Sequence, residues 1–431
     1  MTRRVALATL GCKTNQFESA AMQERLVASG YQVVPFEEGA ELVIVNTCTV
    51  TAATDSQSRN LVRRARRFNP DCRVVVTGCY AQVDPQALVG LPGVSLVIGN
   101  EEKSAFLEYL ENDRQKQVAV SDIRAVDAAC VMPLASWSGR SRAFVQIQNG
   151  CDAFCSYCII PYARGRSRSV LPDQVVEQVA ALSAQGVPEV VLTGIHIGAY
   201  GADLEPSISL ASLVRRIADE TTLQRLRLGS IEPQELTAEL IDRLVQTPIV
   251  CRHLHIPLQS GDDEVLKRMN RHYTTAQFRS LLEGLVQREP DLAIGLDVIT
   301  GFPGESAAEH ENTCALIASL PVSNLHVFPF SKRPGTAAAT MAGHLPGDII
   351  KQRAAQLREL GAQKQRAYAQ RFIGRKLQVV VESGVRDGKL KGLSREYLEV
   401  RFSGNEEDRG KEVTVSIEGV RGDSLYGVVS R

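Results

Sequence analysis

The sequence lacks several features that define common classes of protein. No hydrophobic run in its 431 residues approaches the roughly 20 residues that a membrane span requires. Met1 leads directly into a predicted strand, without the apolar core of a signal peptide. Lysine and arginine together number 49, as do aspartate and glutamate, so the charge does not indicate a nonspecific nucleic-acid binder. We expect a cytoplasmic protein of two or three domains with no membrane segment.

The cysteines are few and most of them stand in motifs. A disulfide framework is not expected among the 10 cysteines of a chain of this length without a signal peptide. Cys72, Cys130, Cys251 and Cys314 have no motif around them, and we interpret them as ordinary apolar residues. The other six form two sets of three.

Three of these cysteines lie on one short segment with the spacing C-x3-C-x2-C. They are Cys151, Cys155 and Cys158. A structural zinc site usually takes four protein ligands in two spaced pairs, and no such pair accompanies this triplet. Thiolates suit iron–sulfur clusters, so the spacing predicts a [4Fe–4S] cluster with three cysteine ligands. Its fourth iron is then free to bind a substrate or a cofactor.

The second set is spread along the N-terminal region. Cys12, Cys48 and Cys79 each come just after a hydrophobic run that reads as a strand. Because the carboxyl ends of parallel strands share one edge of a sheet, the three cysteines are expected to converge there. The pattern therefore indicates a second three-cysteine cluster.

Short apolar runs alternate with helical patterns over most of the chain, which predicts three structured regions and one connection. Residues 1–118 are predicted to form an open parallel α/β sheet domain, followed by a linker at 119–141. Six strand–helix units in 142–370 indicate an incomplete (β/α) barrel, whose chemistry lies at the carboxyl ends of the strands. Five short strands in 371–431 predict a small antiparallel β-barrel.

The central triplet, with Tyr157 before its last cysteine, resembles the signature of the radical S-adenosylmethionine (SAM) superfamily. The resemblance implies that the open iron binds SAM, whose reductive cleavage yields a 5′-deoxyadenosyl radical. No protein group is assigned as catalytic, because hydrogen abstraction by a carbon radical needs no base. Segments at the barrel strand ends resemble the superfamily's SAM-contacting positions. The implied cofactor-binding residues are Tyr157, Thr193, Gly194, Ser230, Glu232, Gln259, Gly301 and Pro303.

Three N-terminal motifs resemble those of the methylthiotransferases, a family within that superfamily. They are G-C-K-T-N-Q at 11–16, N-T-C-T-V-T at 46–51 and T-G-C-Y-A-Q at 77–82. The resemblance implies two [4Fe–4S] clusters and SAM, used to replace a C–H bond by C–S–CH3. Residues 371–431 resemble the RNA-binding TRAM domain. Their 12 Lys and Arg against 10 Asp and Glu would not by themselves suggest RNA.

The first motif is nearest to the family branch that modifies N6-threonylcarbamoyladenosine at position 37 of tRNA. The alternatives are the branches that modify N6-isopentenyladenosine in tRNA or an aspartate of a ribosomal protein. The implied partners are the tRNA anticodon loop, an electron donor protein and a sulfur donor, with the enzyme acting as a monomer. A basic residue should face the carboxylate of the threonylcarbamoyl group, and Arg166 and Arg168 are candidates by their position after the cluster loop.

Two other hypotheses about the function of the protein remain open from the sequence alone. An iron–sulfur scaffold or sensor without catalysis would not need the SAM-like motifs at 193–201 and 295–305. A radical SAM enzyme with a cobalamin-binding N-terminal domain would not need Cys12, Cys48 and Cys79 at three strand ends.

Overall fold

The computed structural model describes residues 3–111, 117–129, 132, 134, 137, 141–382 and 389–430, so Cys130 lies outside it. The first region is an open sheet of six parallel strands in the order β2-β1-β3-β4-β5-β6. The strands are β1 (Arg4–Thr9), β2 (Gln32–Val33), β3 (Leu42–Thr47), β4 (Arg73–Gly78), β5 (Val94–Ile98) and β6 (Gln117–Ala119). The predicted open parallel sheet is confirmed.

Helices cover both faces of this sheet. They are α1 (Lys13–Ala28), α2 (Ala52–Phe68), α3 (Cys79–Val83), α4 (Pro85–Val89) and α5 (Phe106–Glu111). Strand β3 is buried along its whole length, because alternate residues face two different cores. Met22 of α1 packs in one core and Val62 of α2 in the other. Met132 and Leu134, from the segment proposed as a linker, also pack in the core that contains Met22.

Two helices of this region begin earlier than their apolar periodicity predicts. The apolar periodicity of the sequence predicts helix α1 from about Glu18, but the helix begins at Lys13 with Cys12 as its N-cap. The same periodicity predicts helix α2 from about Asp55, but that helix begins at Ala52, where Thr51 and Thr54 form a capping box. The first turns are missed because their residues are polar and carry no apolar period. The early starts bring both helices close to their cysteines.

The second region is an incomplete barrel of six parallel strands, as predicted. Its strands, with a small antiparallel ladder β8–β9, are β7 (Arg142–Gln146), β8 (Gln148–Asn149), β9 (Arg168–Ser169), β10 (Glu189–Thr193), β11 (Arg225–Leu228), β12 (His253–His255), β13 (Ala293–Thr300) and β14 (Asn324–Pro329). Two ladders, β11-β10-β7 and β12-β13-β14, are joined by isolated parallel bridges such as Ser230–His255. Strands β7 and β14 form no ladder with each other in the described chain, and α1 packs against β7.

Eight helices accompany these strands. They are α6 (Ile160–Arg164), α7 (Pro172–Ala184), α8 (Leu210–Glu220), α9 (Ala238–Gln246), α10 (Asp263–Arg268), α11 (Thr275–Arg288), α12 (Ala307–Ser319) and α13 (Gly347–Gln370). Helix α13 packs along β14. Across the residues that the structure covers, no helix is both long and apolar enough to cross a membrane.

The third region is a closed five-stranded barrel in the order β15-β16-β17-β19-β18. Its strands are β15 (Lys376–Val381), β16 (Leu390–Ser394), β17 (Glu399–Ser403), β18 (Glu412–Arg421) and β19 (Ser424–Val429). Four pairings are antiparallel as predicted, whereas β17 and β19 run parallel. Five strands in a ring cannot alternate in direction all the way round, so one parallel pairing is required.

This small barrel packs against the amino-terminal ends of the larger barrel's strands. Buried Arg225 and Arg227 both bind Glu189, which is itself inaccessible to solvent. Arg225 also contacts Glu412 at 3.3 Å, and Arg227 donates to the carbonyl oxygen of Ser394 at 3.1 Å. The C-terminal barrel therefore supplies polar partners for charges that would otherwise be buried with fewer hydrogen bonds.

Candidate active site

The C-x3-C-x2-C segment forms a tight loop between β8 and α6. Gly150 begins it with φ of +75°, and a Cβ there would lie 1.7 Å from the carbonyl oxygen of Arg166, so only glycine fits. The amide of Cys151 donates to the carbonyl oxygen of Gly165 at 3.0 Å, and that of Cys158 to the carbonyl oxygen of Cys155 at 2.9 Å. The backbone thus fixes the loop in advance of any ligand.

N–H groups approach two of the three sulfur atoms on this loop. The backbone amide of Ala153 donates to Sγ of Cys151 at 3.4 Å, and Nη1 of Arg271 donates to Sγ of Cys155 at the same distance. Burial, together with the neighbouring thiols of Cys155 and Cys151, raises the pKa of Cys158 to about 12. A thiol must lose its proton to bind a metal, and a bound cation would lower this pKa value.

His196 and Arg271 are held by carboxylates at the edge of this loop. Nδ1 of His196 lies 3.6 Å from Sγ of Cys151, and its Nε2 lies 2.6 Å from Glu235. Burial opposes its charge, but Cys151 and Glu235 raise the pKa of His196 to about 10. Arg271 forms an ion pair with Glu232, one of the residues predicted to bind SAM. The two cations thus stand beside two of the sulfur atoms.

The structure brings the second set of cysteines together at one edge of the N-terminal sheet. Cys12, Cys48 and Cys79 follow β1, β3 and β4, which are neighbours in the sheet. Burial raises the pKa of Cys48 to about 12, and the thiols of Cys79 and Cys12 also raise it. Gly11 lies against this site, since a Cβ there would stand 2.9 Å from Sγ of Cys48. The sequence predicted this convergence, because the carboxyl ends of parallel strands share one edge of a sheet.

The spacing of both sets suits a cluster better than a single ion. In neither set do all three sulfur atoms, in the described chain, lie within 4.8 Å of one another. Sulfur ligands about 2.3 Å from one tetrahedral zinc ion would be about 3.8 Å apart. The wider spacing therefore argues against one tetrahedral zinc ion and leaves room for a polynuclear iron–sulfur group.

One buried arginine joins the two sets. Arg164, in the helix that follows the central triplet, is inaccessible to solvent, and its Nε donates to Sγ of Cys79 at 3.2 Å. Its other nitrogens bind Asn15 and Glu18, and Glu18 also binds Lys103. The sequence gives no sign of these contacts, because the partners of Arg164 lie 85 and 146 residues away in the chain.

A second ion pair links the loop after Cys48 to the barrel. Nη2 of Arg333 donates to Oγ1 of Thr49 at 2.7 Å and to Oδ2 of Asp55 at 2.6 Å. Close by, the amide of Ala52 donates to Oγ of Ser331 at 3.0 Å. These contacts hold the second cysteine set over the carboxyl ends of the barrel strands.

A cavity of about 200 Å³ lies between the two cysteine sets. Val50 and Thr51, which follow Cys48, line one side, and the segment 157–160 of the central loop lines another. Gln259 and Asp297 are among its few polar groups, and Phe328 contributes an aromatic side chain. A mostly apolar cavity with a few polar groups is typical of a small-molecule or base-binding site.

Two of the eight predicted SAM-contacting residues, Tyr157 and Gln259, line this cavity. The other six follow the carboxyl ends of barrel strands, and they are Thr193, Gly194, Ser230, Glu232, Gly301 and Pro303. A Cβ on Gly194 would lie 2.8 Å from the carbonyl oxygen of Gln148, and Gly301 has φ of +77°. Both glycines are thus required by close approach or by backbone conformation.

The two arginines proposed to face a substrate carboxylate are placed differently. Arg168 is buried, and its guanidinium donates to the carbonyl oxygens of Arg164 and Val126 at 2.6 and 3.3 Å. Arg166 is exposed to solvent. Neither Arg166 nor Arg168 lines the cavity.

Comparisons with known proteins agree with this architecture. Residues 4–99 match the model described as uncharacterized protein family UPF0004, and residues 145–317 match the radical SAM superfamily. The radical SAM methyltransferase TsrM from Kitasatospora setae superposes with a TM-score of 0.58 at 20% identity, covering 79% of this chain and 77% of its own. That likeness shows the shared fold alone.

Sequence relatives are considerably more similar. The threonylcarbamoyladenosine tRNA methylthiotransferase MtaB of Bacillus subtilis (strain 168) is 38% identical, covering 96% of this chain and 93% of its own. Its counterpart from Aquifex aeolicus (strain VF5) is 37% identical, covering 96% of this chain and 100% of its own. The tRNA-2-methylthio-N(6)-dimethylallyladenosine synthase of Clostridium botulinum (strain Okra / Type B1) is 31% identical, covering 97% of this chain and 95% of its own.

The fold and the central cysteine loop define a radical SAM enzyme with an added N-terminal α/β sheet. The chain belongs to the tRNA methylthiotransferase family, because relatives at 36–39% identity share most of their length with it. Enzymes of this family are transferases that use SAM and two [4Fe–4S] clusters.

Proposed function

We propose that the protein adds a methylthio group to C2 of N6-threonylcarbamoyladenosine at position 37 of tRNA. The observation that carries the proposal is the cavity between the two cysteine sets, bordered by Cys158 on one side and by the residues after Cys48 on the other. Five relatives that are 36–39% identical to this chain carry the name of that activity. Relatives named for the dimethylallyl substrate are 31% identical.

Each cysteine set takes a separate part in this proposal. Cys151, Cys155 and Cys158 hold the cluster that binds SAM, and Cys12, Cys48 and Cys79 hold the second cluster. When bound, these groups supply the radical that activates C2 and the sulfur and methyl that replace its hydrogen. The two sets differ in their surroundings, because Cys12 is exposed whereas Cys48 and Cys79 are buried.

The chain's own residues position these groups and exclude water. Arg271 and Ala153 donate to the sulfur atoms of the central loop, and Glu232 orients Arg271. Such N–H···S hydrogen bonds tune the reduction potential of a cluster. Phe328 and Ile299 provide apolar walls, so the cavity suits a purine ring lifted out of an RNA loop.

The proposed partners follow from this activity. The tRNA anticodon loop is the substrate, and the C-terminal barrel acts as a TRAM-like RNA-binding domain. An electron donor protein and a sulfur donor complete the reaction, and the enzyme works as a monomer in the cytoplasm, where tRNA is modified. We propose that the chain divides into three domains joined by one linker. The domains are residues 1–118, 142–370 and 371–431, and the linker is residues 119–141.

The test offers reconstituted enzyme three purified substrates: tRNA with threonylcarbamoyladenosine, tRNA with isopentenyladenosine, and the ribosomal protein that carries the candidate aspartate. Mass analysis of nucleosides and peptides measures methylthiolation of each. We expect product from the threonylcarbamoyl tRNA alone. Methylthiolation of the isopentenyl tRNA or of the ribosomal protein instead would overturn the substrate assignment in favour of that alternative.

A further inference from the structure

Helix α2 concentrates positive charge in a chain whose overall charge is zero. It contains five arginines, and Asp55 is its one acidic residue. That carboxylate is buried and bound by Arg333 of the barrel, so it does not offset the charge on the exposed side of the helix. Such a concentration does not follow from the composition, and it indicates an anionic partner.

Two of the five arginines have their charge available to such a partner. The other three contact Tyr80, Glu37 and Gly93 within the N-terminal region, and they are Arg59, Arg64 and Arg66, in that order. Arg63 and Arg67 are exposed, and among the described residues their one polar partner is the neutral amide of Asn60, 3.0 Å from Nη1 of Arg63. Because Arg63 and Arg67 are four residues apart, they lie on the same face of the helix.

This face leads from the cavity to the two arginines. Thr51, the N-cap of α2, lines the cavity. From there the exposed residues of the face, which we call the outer face of α2, are Ala53, Ser56, Gln57, Asn60, Arg63 and Arg67. At about 1.5 Å per residue, Arg63 and Arg67 lie about 17 and 23 Å along the axis from Ala52. The outer face can therefore follow several nucleotides of a bound strand, and it contains no acidic residue that would repel phosphates.

A third cation stands at the cavity end of this helix. Lys332 is exposed and lies between Ser331 and Arg333, the two barrel residues that bind the start of α2. Oγ of Ser331 accepts from the amide of Ala52 at 3.0 Å, and Arg333 binds Asp55, so the backbone of Lys332 is fixed beside the first turn of the helix. Because Ser331 also lines the cavity, Lys332 adds a positive charge next to it.

The cavity is open to solvent beside this helix. Val50 and Phe328 line it, yet they are 48% and 41% exposed. Exposed apolar and aromatic side chains at a cavity offer surfaces on which a nucleic-acid base can stack. A nucleotide whose base entered here would leave its phosphates outside, near Lys332 and the start of α2.

We propose that the outer face of α2 and Lys332 bind the phosphate backbone of the tRNA anticodon arm while the target base occupies the cavity. The inference rests on the proposed function and assigns RNA binding to the N-terminal region as well as to the C-terminal barrel. Because phosphates carry no sequence information, these cations set the affinity and the position of the RNA, whereas the cavity selects the nucleoside.

The position of the C-terminal barrel explains why a second RNA-binding surface is needed. That barrel packs against the amino-terminal ends of the larger barrel's strands, as the contact of Arg227 with Ser394 shows, whereas the cavity lies at their carboxyl ends. The two ends of β13, Ala293 and Thr300, are about 23 Å apart at about 3.3 Å per residue. An RNA arm with its target base in the cavity therefore requires cations on the cavity side of the molecule, where α2 begins.

The test measures binding of full-length tRNA to the cluster-loaded enzyme by fluorescence anisotropy at several salt concentrations. Arg63→Gln combined with Arg67→Gln removes both charges and keeps residues with good helix propensity. Loss of two phosphate contacts should reduce the magnitude of the slope of log affinity against log salt concentration by about two. It should also weaken binding roughly 10- to 100-fold at about 0.1 M salt. Lys332→Gln should reduce the magnitude of the slope by about one.

Arg215→Gln is the matched control for a lost surface arginine. Arg215 is exposed on α8, which packs against α7 and α9 on the outside of the barrel. This variant should keep the wild-type affinity and slope. Iron content, and reductive SAM cleavage without RNA, should be unchanged in every variant, because none of the four substituted residues lines the cavity.

Wild-type affinity and slope in the double variant would overturn the proposal. Equal weakening by Arg215→Gln would also overturn it, because binding would then depend on overall charge and not on this face. Slower reduction of the clusters by an acidic electron-transfer protein, with unchanged tRNA binding, would assign α2 to the electron donor instead. Failure of the proposed function is distinguishable, since a backbone contact should give the same change of slope with an unmodified tRNA transcript, whichever nucleoside the wild-type enzyme methylthiolates.

Discussion

Nε of Arg164 donates a hydrogen bond to Sγ of Cys79 at 3.2 Å, and this contact joins the regions of the two cysteine sets. The arginine follows the loop of Cys151, Cys155 and Cys158, whereas the thiol belongs to the N-terminal sheet. Since Arg164 is also fixed by Glu18, one buried side chain sets the position of one cysteine site relative to the other.

Replacing Arg164 by methionine should therefore affect the second cluster first. The variant leaves Glu18 buried with Lys103 as its remaining ion-pair partner, and breaking a buried pair costs about 3–5 kcal/mol. We expect the iron content to fall from about eight to about four atoms per chain. Iron analysis and urea denaturation measure both effects. Arg166→Met, at an exposed position two residues on, is the control, and equal iron content in the two variants would contradict the assignment.

Single cysteine substitutions should separate the two sites. We expect Cys155→Ala to abolish both SAM cleavage and product, because it removes a ligand of the SAM-binding cluster. Cys48→Ala should keep reductive SAM cleavage and lose methylthiolation, because it disrupts only the second site. Chromatography of 5′-deoxyadenosine and of modified nucleosides measures the two steps. Loss of SAM cleavage in Cys48→Ala with an intact central cluster would show that the division of roles is wrong.

The fold could be predicted from local patterns. Runs such as Leu42–Thr47 are apolar and short, so their strand identity and their carboxyl ends could be read directly from the sequence. Convergence of Cys12, Cys48 and Cys79 followed from the geometry of parallel strands. The parallel pairing of β17 and β19 was missed, because strand direction around a closed ring depends on the number of strands and not on local sequence.

The polar contacts of the site could not be predicted in the same way. Arg333 binds Asp55, which lies 278 residues away in the chain. Asp297 contacts His326 on the neighbouring strand. A single sequence contains no signal that pairs such distant residues.

Gly11 should be sensitive to substitution for a reason beyond its backbone conformation. It has φ of +97°, and a Cβ would lie 2.9 Å from Sγ of Cys48, so Gly11→Ala must displace that ligand. Gly30 has a similar φ of +83° with open space around it, which makes Gly30→Ala a matched control for backbone strain alone. We expect the positive φ to cost both variants about 1–2 kcal/mol of stability, and only Gly11→Ala to lose iron. Equal iron loss would refute the steric argument.

Acid should destabilise the protein through two buried carboxylates. Burial raises the pKa of Glu18, but Arg164 and Lys103 outweigh it and lower the pKa to about 2. In Glu189 burial is likewise outweighed, by Arg227 and Arg225, and its pKa is also about 2. Both pKa values lie below 4.5, the ordinary value for glutamate. The two ionised carboxylates therefore stabilise the folded protein fully above pH 4.5, and this stabilisation is lost as the pH falls toward 2. Denaturation between pH 5 and pH 2 should show a shallower decline in Glu18→Gln than in wild type, and parallel curves would contradict this.

Deleting the C-terminal barrel is a poor test of RNA binding. The ring of Tyr397 stacks on that of His253 with centroids 4.0 Å apart, and Glu412 and Ser394 contact Arg225 and Arg227. A chain ending at Gly374 would lose these partners, so instability of the larger barrel would be confused with weaker binding.

Exposed cations of the C-terminal barrel provide the cleaner test. Lys376, Arg401 and Arg421 are all exposed, and we expect Glu at each position to weaken tRNA binding while SAM cleavage and iron content stay unchanged. Each protein cation that contacts a phosphate releases about one counterion from the RNA. Removing that cation should therefore reduce the magnitude of the slope of log affinity against log salt concentration by about one. Binding titrations of unmodified tRNA at several salt concentrations measure that slope. Lys351→Glu, at an exposed site on α13, is the control. If the three barrel variants bind tRNA with wild-type affinity and salt dependence, the barrel does not serve as the RNA-binding domain.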